Sequence, residues 1–258
     1  MEYLILNLLA TTQRNVVMGN LHICFCGDES VVNKYTTVIN SIQKKNSHHT
    51  INIHFIRPFD SCEDYEELKK HVASFDNLNL FEYHKTWESN YNGMEHIESS
   101  ATMIRLYIPE LLNVDKVIYL DMDLIVNMDL QTLYEIDCEE HGIAMANHMD
   151  TPRRDRRRLG LGKKLSGNAG VMVLDLNRLR ENDFTNKCLE YNKTHGGNDQ
   201  CAINWYCRGT HKILEVKYNL FYADNGYLIN TLEDYIFHWA GPYKPWHDKI
   251  DKYDFLWE

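Results

Sequence analysis

The chain has 258 residues, 44% of them apolar, enough to bury a sizeable core in one main domain. Its net charge of −10, from 27 Lys and Arg against 37 Asp and Glu, excludes a general nucleic-acid binder, whose affinity comes largely from a basic surface. Seven cysteines without a Cys-x-x-Cys pair or zinc-finger spacing fit reduced thiols in a cytoplasmic protein, and no apolar run approaches the ~20 residues of a membrane span.

Residues 1–20 do not match the pattern that follows and carry no positive segment of a secretory leader, so they are expected to be an N-terminal extension to a domain over 21–258. From Leu21 the pattern predicts a strand to Cys26, a polar turn at Gly27-Asp28-Glu29-Ser30, a helix to about Lys45 and a strand from Thr50 to Ile56. Cys24 and Cys26 alternate with Phe25 in the first strand, where a free thiol packs as a small hydrophobe. A helix at about Cys62–Ser74, a strand near Leu78–Tyr83 and a helix at about Ser99–Leu112 follow. A strand is expected within the run Val117–Val126, delivering Asp121 and Asp123 to its end, and others at His141–Ala146 and Gly170–Leu174, with a helix at Asp199–Tyr206. Strands and helices alternate, so the fold class is α/β: a Rossmann-like, mostly parallel sheet flanked by helices, with ligands at the carboxyl ends of its strands.

The run Val117–Val126 contains Asp121 and Asp123, one residue apart. Two carboxylates delivered together by an apolar strand make a hard oxygen site suited to Mg²⁺ or Mn²⁺ bridging a diphosphate. Aspartates at that place also cap or turn a chain with no ligand at all. The segment Arg153-Arg154-Asp155-Arg156-Arg157-Arg158, followed by Gly160, Gly162, Lys163 and Lys164, reads as a mobile basic loop, either a solvated charge run or a flap that attracts an anionic group of a donor or acceptor. The sequon Asn192-Lys193-Thr194 matters only in a secretory lumen and is given no role.

Four blocks taken in order make the chain resemble glycosyltransferase family 8, over roughly Leu21 to Trp246: Ile23–Glu29, Met103–Asp123, Gly167–Leu176 with Asn198–Asn204, and His238-Trp239-Ala240-Gly241-Pro242-Tyr243-Lys244-Pro245-Trp246. The last matches the family pattern His-x-x-Gly-x-x-Lys-Pro-Trp throughout. The resemblance implies a GT-A type fold and transfer of a hexose from a UDP-sugar to a hydroxyl of a glycan or glycolipid, with retention of anomeric configuration. It implies metal ligation by Asp121, Asp123 and His238, with Mn²⁺ favoured and Mg²⁺ possible. Asp28 would read the uracil, with backbone contacts from Cys26 and Gly27, while Val31 stands where relatives often carry an aromatic ring. Arg105, Met122, Asn168, Ala169, Asp199, Gln200, Gly241 and Lys244 complete the implied donor site, and Arg105, Asp199 and Gln200 the implied catalytic set. Asn168 is equally a turn residue, Arg105 equally a buried ion-pair partner, and Asp199 equally a helix N-cap.

Cys201 replaces the aspartate that commonly closes an Asp-Gln-Asp triplet, and a thiol there is a poor substitute for a carboxylate nucleophile. Same-face attack by the acceptor hydroxyl is therefore expected, with Gln200 stabilising the anomeric centre. Two alternatives are an Asp-x-Asp phosphatase and a non-catalytic or hydrolytic sugar-nucleotide-binding protein of the same fold. The acidic, aromatic tail of 12 residues after Trp246 leaves peripheral membrane contact open.

Overall fold

Residues with branched or aromatic side chains suit strands buried on both faces, as in β1 (Asn20–Cys26) and β2 (Thr50–Arg57), and β3 (Leu78–His84), a largely exposed edge strand, lies parallel beside β2. The computed structural model describes residues 19–86, 100–148, 151–221, 226–247 and 253–257. Apart from its last two residues, the expected extension at 1–20 lies outside them, and Asn20 already belongs to β1. Two helices, α1 (Tyr35–Asn46) and α2 (Glu63–Ala73), connect these strands and bury Tyr35, Val38, Ile39, Tyr65, Leu68 and Val72 against Leu21, Ile23 and Phe25.

On the other side of β1 lies β4 (Lys116–Leu120), again parallel, so the chain order reverses between β1 and β4. A crevice at such a reversal, outside the carboxyl ends of the strands, is where open α/β sheets bind ligands. The sheet continues through antiparallel β7 (Gly167–Asp175), then β6 (Ile143–Asn147) and the short edge strand β8 (Lys212–Ile213), in the order β3-β2-β1-β4-β7-β6-β8. Its second face is covered by α3 (Ile108–Leu111), α6 (Leu176–Glu181), α7 (Phe184–His195) and α8 (Asp199–Cys207), packed on Cys24, Tyr119 and Met172.

The apolar run Val117–Val126 holds two strands, and the aspartate doublet closes the first of them, as expected. After Leu120 the chain leaves the large sheet, turns through Asp121-Met122-Asp123, and enters β5 (Leu124–Asn127) of a separate three-stranded sheet with β10 (Tyr235–His238) and β9 (Leu220–Phe221). Buried Asn46 fixes this corner from below, donating to the Met128 carbonyl (3.0 Å) and accepting from the Leu130 N–H (2.7 Å), just before α4 (Gln131–Tyr134).

The expected helix at Ser99–Leu112 is also broken, into 3₁₀ turns over Ser100–Tyr107 followed by α3. Pro109 explains the break: it has no N–H to give the Arg105 carbonyl and disfavours helical geometry in the residue before it, whereas the first turn of a helix tolerates it. The arginine-rich segment is not a mobile loop but a helix, α5 (Arg153–Arg158). Its entry is pinned by the Thr151 hydroxyl, which accepts from the Ser166 N–H (2.9 Å), and its exit by buried Leu159 and Leu161. None of the described helices is long and apolar enough to cross a membrane.

Candidate active site

The corner between the two sheets puts the aspartate doublet at the carboxyl end of β4, and the pairing of β5 with β10 brings in a histidine from the far end of the chain. Register sets His238 opposite Leu124, and the Trp239 N–H donates to the Asp123 carbonyl (2.9 Å). One ligand atom from each of Asp121, Asp123 and His238 lies within 4.8 Å of the others. His238 Nε2 is 3.2 Å from Asp123 Oδ1 and 4.0 Å from Asp121 Oδ2.

The tautomer of His238 follows from its neighbours. Gly170 N–H donates to Asn168 Oδ1 (2.9 Å), and so does the amide nitrogen of Asn219 (3.0 Å). Asn219 therefore turns its oxygen to His238 Nδ1 (2.9 Å), which must carry the proton. Nε2 is left with a lone pair facing two carboxylates, and the buried Asp123 Oδ1 accepts no hydrogen bond. In the neutral ring these lone pairs converge in a buried space that suits a cation, and a ring held by its second nitrogen is the usual arrangement of a metal-binding histidine. Gly170 forms the floor: a Cβ there would run into the His238 ring and lie 2.9 Å from Asp121 Oδ2. The residues present thus fit a divalent cation.

Positive side chains surround the pair. Lys244, 7% exposed, donates its Nζ to Asp123 Oδ2 and to the Trp239 carbonyl (3.1 Å). Burial opposes ionisation of Asp123, but the charge of Lys244 outweighs it and holds the carboxyl well below the usual carboxylate range. Asp121 is aligned by Tyr119, whose hydroxyl donates to Oδ1 (2.7 Å), and by Arg105 Nη2 (3.0 Å). Arg105 is buried and joins Asp121 to Asp199, its Nε lying 3.0 Å from Asp199 Oδ2, while Nη1 donates to the Ala169 carbonyl (3.0 Å). The ion-pair reading of Arg105 is the one this arrangement carries: its guanidinium group is taken up by Asp121, Asp199 and the Ala169 carbonyl beneath the site. Burial raises the pKa of Asp199, with Asp121 adding to the effect and Arg105 opposing it.

The residues expected to contact the sugar form a second connected group. Gln200 Oε1 accepts from the Ala169 N–H (3.0 Å), so with both amide oxygens pinned by backbone, the amide nitrogens of Asn168 and Gln200 turn to His148 Nε2, at 3.3 and 3.4 Å. The His148 ring stacks on Phe221. Asn198, not Asp199, caps α8, its Oδ1 accepting from the Cys201 N–H (2.9 Å). Cys201 is buried, and Arg158 Nη2 donates to its sulfur at 3.1 Å. At the end of β1, the Cys26 carbonyl accepts from the Tyr35 hydroxyl (2.8 Å), Gly27 N–H donates to the Ile56 carbonyl (3.2 Å), and Asp28 Oδ1 accepts from the Ser30 N–H (3.0 Å). Val31 is buried beside Gly27, leaving it no face on which a base could stack. Met122 is half-buried in the corner, and Gly241 sits exposed with φ +105°, a conformation that favours glycine.

A sequence profile of glycosyl transferase family 8 matches residues 22–250, nearly the whole chain. The chain belongs to this family. It is 26% identical to the glycosyltransferase GlyE of Streptococcus pneumoniae over 204 residues, covering 76% of this chain and 47% of that protein. With GlyF of the same organism it shares 28% identity over 190 residues, 69% of this chain and 44% of that one. The chain thus spans about half the length of the curated relatives it matches. Among solved structures, the galactosyltransferase LgtC in complex with donor and acceptor sugar analogs superposes with a TM-score of 0.75 over 88% of this chain and 90% of that one, at 19% identity. The apo form of GlyE gives 0.70 over 92% and 59%, at 22% identity. These likenesses establish the GT-A fold, and family membership sets aside the Asp-x-Asp phosphatase reading.

Proposed function

We propose that this chain is a metal-dependent, retaining hexosyltransferase that moves a sugar from a UDP-sugar to a hydroxyl of a glycan or glycolipid acceptor. The observation that carries the proposal is the Nε2 lone pair of His238, held by Asn219 to face Asp121 and Asp123 around the orphaned Asp123 oxygen. Asp121, Asp123 and His238 would hold Mn²⁺, or Mg²⁺ as a substitute, which when bound supplies Lewis-acid stabilisation of the leaving diphosphate. Lys244 adds a cation beside the same phosphates once it shares or gives up Asp123.

Cys26, Gly27 and Asp28 would contact the nucleoside at the end of β1, with Met122 and Gly241 lining the diphosphate side. Asn168, Ala169 and Gln200 would contact the sugar, and Gln200 Oε1 keeps a second lone pair for the positive charge that grows at the anomeric carbon. Arg105 and Asp199 position this set from below. Cys201 offers a sulfur engaged by Arg158 in place of a carboxylate nucleophile, which favours attack from the same face as departure. All seven cysteines are free thiols, which fits a cytoplasmic setting.

Thermal unfolding with a panel of UDP-sugars tests the proposal. A donor at a hundredfold excess over its Kd adds about 2.7 kcal/mol to stability, and that protection should require Mn²⁺ and vanish in Asp123→Ala. Protection by no UDP-sugar, or undiminished protection in the variant, would refute it.

A further inference from the structure

The helix α5 holds five arginines in six residues on a chain whose net charge is −10. Such a helix carries a cost, because arginines at i, i+3 and i+4 repel one another when nothing answers them. Arg158 is answered by Asp155 (3.5 Å) and by the Cys201 sulfur. Arg153, Arg154 and Arg157, with Lys163 and Lys164 just beyond, point to solvent, and among the described residues none of these five forms an ion pair. An acidic protein with many carboxylates to spare has left this surface unneutralised.

Its place in the fold is specific. β6 runs parallel to β4, so the connection from β6 back into β7 emerges at the same end of the sheet as Asp121, Asp123 and Gly170. The helix is fixed in that connection by Thr151 and Ser166 at one end and by Leu159 and Leu161 at the other. Its last residue reaches Cys201, the neighbour of Gln200. Lys244 already stands as a cation at Asp123, so a second cationic surface, next to Gln200 through Cys201, has a different anion to meet.

We infer that α5 binds an acceptor that is itself anionic, a glycan carrying phosphate or carboxylate groups within a few sugar units of the attacking hydroxyl. This rests on the transferase reading and names its acceptor class. The helix has no apolar side chain to insert into a bilayer, which favours a charged glycan over a membrane surface as the occupant.

The test uses the whole chain and the triple variant Arg153→Gln, Arg154→Gln, Arg157→Gln, whose exposed and unpaired side chains can be changed without opening the core. Calorimetry compares oligogalacturonate, a phosphorylated oligomannoside, neutral maltoheptaose and phosphatidylglycerol vesicles, each at low and about 0.3 M salt, where screening acts over a few ångströms. One or both anionic oligosaccharides should bind the wild-type chain more tightly than maltoheptaose, weaken with salt, and lose about tenfold in the variant, the order expected for three exposed charge contacts. Carboxylate and phosphate probes then tell which anion is read. Equal binding of maltoheptaose, undiminished binding by the variant, or binding to vesicles with neither oligosaccharide overturns the inference. UDP binding with Mn²⁺, measured on the same samples, separates the two claims: its absence from the wild type overturns the transferase reading, whereas intact UDP binding without charge-dependent glycan binding overturns this one alone.

Discussion

Asn219 touches no proposed substrate, yet it decides which nitrogen of His238 is free. It is fully buried, and it spends its two ends on Asn168 Oδ1 and His238 Nδ1. Replacing it with leucine, close in volume and unable to hydrogen-bond, removes the acceptor for Nδ1–H. The imidazole proton then gains by moving to Nε2, where it can donate to Asp123 Oδ1 at 3.2 Å, the oxygen that has no donor in the wild-type chain. The metal-free protein recovers one buried hydrogen bond by this shift, about 1 kcal/mol, so its stability should fall by less than loss of two buried contacts implies. Metal binding must reverse the shift. Changes to groups that orient a ligating histidine typically cost 10–100-fold in metal affinity, equivalent to about 1.4–2.7 kcal/mol. Calorimetric titration of Mn²⁺ in the presence of UDP, together with urea unfolding without metal, separates the two effects. Unchanged Mn²⁺ affinity in Asn219→Leu, with the fold intact and Asp123→Ala inactive in binding, would refute the tautomer argument.

Gly170→Ala should abolish Mn²⁺ binding while leaving the sheet folded, because its methyl would occupy the floor between His238 and Asp121; a Mn²⁺ titration alongside circular dichroism checks this. His148→Leu removes the acceptor shared by Asn168 and Gln200, so kcat/KM for sugar transfer should drop roughly tenfold, in line with loss of a positioning contact, with UDP affinity unchanged in a parallel titration. Burial, with His22 adding repulsion, pushes the His54 pKa down to about 4 from 6.5, and burial, then His141 and Lys164, does the same to His211. Both imidazoles are neutral in the folded state and take up protons on unfolding at mildly acidic pH, so the stability they contribute is present above pH 6.5 and is lost as pH falls towards 4. The decline approaches about 1.4 kcal/mol per pH unit for each, and urea unfolding across that range should be flatter for His54→Gln with His211→Gln.

What could be read in advance was set by how local its cause is. β1 and β2 announce themselves because strands buried on both faces need a largely apolar run, and Ile23-Cys24-Phe25 and Phe55-Ile56 supply it. The doublet Asp121 and Asp123 stands out because carboxylates are costly in such a run. The boundary inside it did not, since Leu124-Ile125-Val126 is as apolar as Val117-Ile118-Tyr119 and no local signal marks the change of sheet. The small sheet was invisible for a related reason: β9 has 2 residues and β10 only 4, too few to show a period. Pro109 was a legible warning against a continuous helix that the apolar spacing around it masked.

His238 was reachable only through the resemblance of its block, because nothing local tells a ligand from a core histidine. Asn219 and His148 were missed altogether. Each lies in irregular chain and acquires its role from partners 19 to 52 residues away, such as His238 for Asn219 and Gln200 for His148. A polar residue that is buried because distant hydrogen bonds satisfy it leaves no periodic trace.

If Asp121, Asp123 and His238 close around one divalent cation, anomalous diffraction from crystals grown with Mn²⁺ and UDP should locate it between them. A single strong anomalous peak is expected, bonded to His238 Nε2 and to an oxygen of each aspartate, with Nδ1 still on Asn219. A Mn²⁺ peak elsewhere, for instance among His48, His49 and Asp129, with His238 still facing Asp123 and nothing between them, would contradict it.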